Sequence, residues 1–316
     1  MKKYKSINQF RQVIREVRSD HDYQGKDENG TPIYSHNSPY PTLSFTGSIK
    51  LHGTNGGIVL YKNGDLKFQS RERELSIQSD NAGFFTYMSG VDLSSLFIGI
   101  EFDEYIAIYG EWCGGNIQKG VALNGMDKMF VIFDVVVDGV YMNHFGLDIK
   151  DKNIYCIDNF KTFEIDIDFN NPELSQNKLI EWTLQVEEEC PFAKNFGVSG
   201  IGEGIVFYQK ENRGLKFKSK GEKHSSSKVK VLNSVSEEEI KGYKDFVDYA
   251  CTENRLKQGL ENVKSLDSKY ISDFIKWVAN DIIKEEKDTL IANNIEWKKV
   301  SGMIAKRSSE FFRSQF

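Results

Sequence analysis

The sequence predicts an α+β chain: a mainly antiparallel β domain over residues 1–230, then a small all-α C-terminal domain over residues 231–316. Two observations predict it. From about residue 40 to residue 228, short apolar runs alternate with turn signals, the pattern of hairpin-linked strands. Past Lys230 there is no proline and little glycine up to Phe316, and apolar residues recur at helical spacing.

The elements follow in order. MKKYKSINQFRQVIREVRSD carries two basic clusters without the apolar core of a secretory leader, so none is expected. GGIVLY and LKFQS flank KNGD, where Asn63-Gly64 predicts a tight hairpin. MFVIFDVVV and VYM flank Asp138-Gly139, a second hairpin, and GIVFY and LKFKS flank QKENRG, a third. Ser236 followed by Glu239 has capping-box spacing. Ile240, Tyr243, Val247 and Ala250 then form one helical stripe, and Tyr270, Phe274, Trp277, Val278 and Ile282 a second. Val300, Ile304, Phe311 and Phe312 suggest a third, and the domain boundary is expected near SSSKVKVLNS.

Composition narrows the class. The chain has 316 residues, 39% hydrophobic and 28% charged, a globular profile. No run of about 20 apolar residues exists, so no membrane helix is expected, and a cytoplasmic monomer is the expectation. The four cysteines show no zinc spacing and are too few for a disulfide framework in a chain this long, so reduced thiols are expected. The net charge is −5, yet residues 210–230 carry eight Lys/Arg against Glu211 and Glu222, a local +6 that suits a phosphate backbone. A solvated charged loop is the plainer alternative.

Residues that suit chemistry cluster in short motifs. A lysine is most often a solvated surface charge, but Lys50 sits in SIKLHGTNGG. There Gly53 permits close backbone approach, and Thr54 and Asn55 offer hydrogen-bonding groups at the same corner. Such a turn suits a phosphorylated ligand held beside the amine. Arg71 ends the second strand of the first hairpin, with Arg73 a competitor. Glu111, in IAIYGEWCGG, is a carboxylate at a strand end before two glycines. Phe133, in VIFDVVV, reads most simply as core. Glu203 lies between two glycines at the entry to an apolar strand. Lys216 and Lys218 alternate on one strand, so both amines leave one face and Phe217 the other. An anion between them would relieve their repulsion.

Taken in order, KLHGTN, the hairpin-end SR, YGEW, VIFDVVV, EGIVF and LKFK resemble the motifs of the covalent nucleotidyltransferases, the polynucleotide ligases and RNA-capping enzymes. Histidine in KLHG, the YGEWCGGNIQKGV segment and the helical C-terminus, in place of an OB barrel, look most like the RNA ligase 2 type, the bacteriophage and kinetoplastid ligases that seal nicks. The resemblance covers nearly the whole chain. It implies an ATP-grasp-like ligase domain over residues 1–230 and a nucleic-acid-gripping helical domain over residues 231–316.

It also implies roles. Lys50 would be the nucleophile that becomes adenylated, with His52 and Gly53 at the nucleotide. Arg71 would contact its ribose or phosphate, Glu111 its ribose, and Phe133 would stack on adenine. Glu203 would assist metal or nucleotide binding, Lys216 and Lys218 would contact the α-phosphate, and Asn55 would act in end joining. The substrates implied are ATP and RNA with 5′-phosphate and 3′-hydroxyl ends, with Mg²⁺ or Mn²⁺ as the oxygen-liganded cation. A DNA ligase, a capping guanylyltransferase or an inactive binding homologue is the alternative. Two departures stand out: Ile49 precedes the lysine where the family often has a charged residue, and Tyr208 ends EGIVFY where the family has lysine.

A lysine amine with a pKa of ~10.4 needs roughly 4–5 kcal/mol to shed its proton at neutral pH. Lys216, Lys218, Arg71 and a divalent cation are the neighbours expected to lower that cost.

Overall fold

The computed structural model describes residues 1–143, 145–221, 242–263 and 267–315. They form two compact units, Met1–Ser219 and Lys220–Phe316. The boundary expected at 230/231, the Ser236–Glu239 box and Ile240 lie outside the described residues.

The first unit opens with β1 (Asn8–Gln9) and α1 (Phe10–Asp22). The sequence reading did not foresee this helix. It buries Phe10, Val13 and Val17, one stripe at helical spacing, and is capped by reciprocal Gln9 and Gln12 bonds. A small hairpin follows, β2 (Tyr23–Lys26) and β3 (Pro32–Tyr34). Then come β4 (Thr42–Lys50), β5 (Thr54–Tyr61) and β6 (Leu66–Ser70), a short α2 (Phe84–Met88), β7 (Tyr105–Cys113), β8 (Met129–Val137), β9 (Val140–Tyr141), β10 (Ile154–Cys156) and β11 (Thr162–Asp168). Two helices inside the expected strand region, α3 (Gln176–Glu188) and α4 (Pro191–Lys194), precede β12 (Gly204–Gln209) and β13 (Lys216–Lys220). All three expected hairpins form: β5 pairs with β6 and β8 with β9, both antiparallel, and β12 neighbours β13.

These strands make two larger sheets, the fold class expected. One runs β1-β13-β12-β4-β11, the other β10-β8-β7-β5-β6 with β9 on β8. Pairing is antiparallel at β4–β11, β4–β12, β5–β6, β5–β7 and β7–β8, and parallel at β1–β13 and β8–β10. Alternation sorts the side chains. On the second sheet Ile58, Ile106, Ile108, Phe130 and Ile132 face a core with Phe84 and Met88, while Val59, Ala107, Tyr109 and Val136 face the opposite side with Tyr4. On the first sheet Phe217 stacks on Phe207 (ring centroids 5.0 Å) and meets Phe10 and Phe45.

The second unit is helical, as expected: α5 (Tyr243–Ala250), α6 (Glu253–Glu261), α7 (Ile271–Ala292) and α8 (Trp297–Arg313). Its core joins Phe246, Val247, Ala250, Leu256, Phe274, Val278, Ile282, Val300, Ile304 and Phe312. The expected stripes thus face inward, except that Tyr243 is exposed and Tyr270 ends a short 3₁₀ turn before α7, outside the core. The helix α6 was missed; Thr252 caps it by accepting from the Arg255 backbone N–H. Arg255 itself is fully buried against Asp281 and Glu286. All four cysteines are free and buried. No described helix is long and apolar enough to cross a membrane.

Candidate active site

The strand β4 belongs to one sheet and β5 to the other, and only Leu51, His52 and Gly53 lie between them. Lys50 is therefore the last residue before the chain changes sheets. Its neighbour across the first sheet is Gly204, so Glu203 emerges beside it. On the second sheet Asn55 stands opposite Glu111.

This register brings distant motifs into contact. The Lys50 ammonium donates to Glu203 Oε2 at 2.6 Å, and His52 Nδ1 lies 3.2 Å from the same oxygen. The Gly53 backbone N–H donates to Glu111 Oε1 at 2.9 Å. A Cβ on Gly53 would sit 2.4 Å from the Trp112 carbonyl oxygen, so only glycine lets this crossing lie against β7. Gly202 is needed similarly: its Cβ would lie 2.4 Å from the Val186 carbonyl of α3. Burial pushes the Glu111 carboxyl above its ordinary range; Lys50 and Arg71 pull it back, and Glu203 adds to the rise. Arg71 thus shares the electrostatic site of Glu111, whereas its competitor Arg73 is committed elsewhere, donating to Ser79 Oγ and the Asp80 carbonyl.

Here the structure corrects one expectation. The group against the Lys50 amine is a carboxylate rather than a cation. Lys216 is not part of a bare cationic set, because its ammonium donates to Asp134 Oδ2 at 2.5 Å.

Asp134 went unnoticed in the sequence, where it read as one more residue of an apolar strand. The β7–β8 register shows why it matters. Tyr109 pairs with Asp134 and Gly110 with Ile132, leaving Phe133 as the extra residue of a β-bulge. Phe130 and Ile132 face one core and Val135 returns to it, so Phe133 and Asp134 both turn to the opposite face. There Asp134, only 2% exposed, accepts from Tyr4 Oη, Arg213 Nε and Lys216 Nζ. Phe133 packs beside Tyr4, with ring centroids 5.2 Å apart, and remains partly exposed, so it is not plain core. Burial pushes the Lys216 ammonium down despite Asp134, and pushes the Tyr4 hydroxyl well up. Lys218, partly exposed, follows Lys216 on the same face of β13, while Phe217 faces the aromatic core.

The basic stretch is less exposed than its charge suggested. Arg213 is buried between Asp134 and Asp158, Lys216 is buried on Asp134, and Lys210 pairs with Glu164. Lys223, Lys228 and Lys230 lie outside the described residues. Lys210, held by Glu164, does not replace the lysine missing at Tyr208; that ring instead lies under the Arg213 guanidinium at 3.8 Å. Ile49 is core, 2% exposed.

Two polar side chains test whether a nucleotide and its cation fit. Both amide atoms of Asn55 and Nε of Arg71 are buried without a hydrogen-bond partner. Such groups are costly unless a ligand meets them. With Glu203 and Glu111 as oxygen donors, the residues present suit a phosphorylated ligand and a hard divalent cation.

A lysine at the seam of two antiparallel sheets, ringed by carboxylates, an arginine and unpaired amide groups, defines a class of lysine-centred sites for phosphate chemistry. The RNA ligase family model matches residues 44–230, more than half of the chain, and the chain belongs to that family. Among solved structures, an RNA ligase of Naegleria gruberi with pyrophosphate is similar at 15% identity and a TM-score of 0.40, over 70% of this chain and 56% of that one. A lysine-to-methionine mutant of that ligase with AMP and Mn gives 15% identity and a TM-score of 0.43 over the same shares. A lysine-to-alanine mutant with ATP and Mn gives 15% and 0.43, over 70% of this chain and 55% of that one. The chain thus spans little more than half the length of these relatives. No curated protein sequence matches it.

Glu111 yields a pH prediction. Its folded-state pKa is raised, so the folded chain holds a proton that the unfolded chain has already released in the window above the usual glutamate value. Stability is therefore lost as pH rises through that window. Glu111→Gln is expected to remain folded and to gain stability relative to wild type as pH rises above the usual glutamate value, in denaturant titrations. An unchanged difference between the two across that range would contradict the assignment.

Proposed function

We propose that the chain is an ATP-dependent RNA ligase of the RNA ligase 2 type, joining a 3′-hydroxyl to a 5′-phosphate at nicks. The observation that carries this reading is the position of Lys50 between the two sheets, in contact with Glu203 and His52 and within the field of Glu111 and Arg71.

In this reading the Lys50 amine, freed of a proton and of its contact with Glu203, attacks the α-phosphorus of ATP. A nitrogen–phosphorus bond forms, the bond to the bridging oxygen breaks, and pyrophosphate leaves with the electron pair. The RNA 5′-phosphate then displaces the lysine, and a 3′-hydroxyl displaces AMP from the adenylated end. Lys216 and Lys218 neutralise charge on the α-phosphate, Lys216 held in place by Asp134. Arg71 and Glu111 engage the ribose and phosphate. Phe133, turned out by the bulge, offers its ring face to adenine. His52 and Gly53 line the nucleotide, and Asn55 directs its two amide atoms to the end-joining step. Glu203 is the residue to hold Mg²⁺ or Mn²⁺, which when bound supplies positive charge at the phosphoryl oxygens. The helical unit would grip the duplex beside the 5′-phosphate, as a monomer.

Intact-mass measurement after incubation with ATP and Mg²⁺ is expected to show one added AMP per chain, and nicked RNA duplex is expected to be sealed. An adduct from GTP alone would make the chain a capping-type transferase, and sealing of nicked DNA alone a DNA ligase. No adduct from either nucleotide would remove the reading.

A further inference from the structure

Away from Lys50, the end of α1 and the segment after β3 bring two imidazoles onto one carboxylate. His21 Nδ1 lies 3.1 Å from Asp22 Oδ1, and His36 Nδ1 lies 3.0 Å from the same oxygen. One ligand atom from each of the three residues falls within 4.8 Å of the others, the one such group among the described residues. We propose that His21, Asp22 and His36 form a site for a borderline transition-metal ion, Zn²⁺ foremost, that pins the β2–β3 hairpin to α1.

Four observations carry it. First, ligand atoms arranged tetrahedrally at Zn–N and Zn–O lengths of about 2.0–2.1 Å stand roughly 3.3 Å apart, so the 3.0 and 3.1 Å separations need little rearrangement. Second, the donor set is two imidazoles and one carboxylate, which selects zinc-like ions over the all-oxygen preference of Mg²⁺. Third, a second shell is in place. Ser38 Oγ lies 3.1 Å from His21 Nε2, ready to accept its N–H once Nδ1 turns to the ion, and Tyr40 Oη holds Asp22 Oδ2 at 3.0 Å. Arg18, over the Tyr40 ring at 5.0 Å, is tied to the Phe169 and Asn170 carbonyls.

Fourth, the site fills a structural need. Among the described residues the strands β2 and β3 pair only with each other, and Tyr23, Ile33 and Tyr34 are exposed on them. A two-stranded hairpin of this kind is marginal by itself. His36 enters from beyond β3 while His21 and Asp22 end α1, so one ion would tie the hairpin's far side to the helix. Three protein ligands leave a fourth position for water.

The test is Zn²⁺ binding by the full chain, measured by mass-spectrometric metal content and by thermal unfolding with and without Zn²⁺. Wild type is expected to hold one equivalent more than His36→Ala, and to unfold at a higher temperature in Zn²⁺ than in chelator. His36→Ala is expected to match wild type in chelator, which shows that it folds, and to lose the Zn²⁺-dependent rise. Ser38→Ala is expected to bind roughly 10–100-fold more weakly. Equal metal content in wild type and His36→Ala, or no thermal shift in wild type, overturns the proposal. Neither outcome bears on adenylation at Lys50.

Discussion

Lys50→Ala is expected to abolish AMP transfer to the protein, by about 10⁴-fold or more, because no other group can take over a covalent nucleophile's bond. The variant must be read beside a control. Lys50 neutralises Glu203, which is 2% exposed, so truncation strips that buried carboxylate of its ammonium and leaves it beside His52 Nδ1 at 3.2 Å. Some destabilisation is therefore expected from alanine that has nothing to do with chemistry. Lys50→Arg keeps a cation against Glu203 and removes the nucleophilic amine. If the site works as proposed, both variants lack the AMP adduct in intact-mass spectra, while arginine restores the unfolding temperature toward wild type. Both should still join RNA whose 5′ end is already adenylated, since that step no longer uses the amine. An adduct persisting on either variant would place the nucleophile elsewhere.

The parts of this site that were legible in the sequence share one property: they announce themselves locally. Lys50 with Gly53, Glu203 between two glycines, and the alternating Lys216 and Lys218 are short patterns whose backbone demands can be read in place. Hairpins signalled by Asn63-Gly64 and Asp138-Gly139 were legible similarly, because their turns need positive φ; Asp138, Gly64 and Gly139 all adopt it. The helices α1 and α3 were not, because α1 follows a basic terminus with no conventional cap and the buried stripe of α3 mixes the apolar Leu179 and Val186 with the polar Thr183 and Glu187. The charge environment was legible least. A lysine and an aspartate 82 residues apart meet only through sheet order and a bulge, so Lys216 read as a free cation and Asp134 as filler. The carboxylate against Lys50 was visible as a residue but not as a contact, since the Lys50–Gly204 register that delivers Glu203 is a tertiary fact.

That buried cluster carries the second large effect. Asp134→Ala removes the one carboxylate shared by Tyr4, Arg213 and Lys216. Arg213 keeps Asp158 and the Phe133 carbonyl, but Lys216 is left with the Tyr4 hydroxyl at 3.4 Å and the Tyr141 ring at 4.5 Å. Stranding a buried ammonium costs about 3–5 kcal/mol, or a fall of roughly 6–20 °C in the unfolding temperature of a unit this size. AMP transfer should fall too, because Lys216 loses the anchor that aims it. A double variant separates the two consequences. Asp134→Ala with Lys216→Met removes both charges, so stability should largely return, while AMP transfer stays lost for want of the Lys216 amine. A single Asp134→Ala chain within about 0.5 kcal/mol of wild type in denaturant titration would mean that the cluster does not hold Lys216 in place. Recovery of adenylation in the double variant would mean that Lys216 does not reach the phosphate.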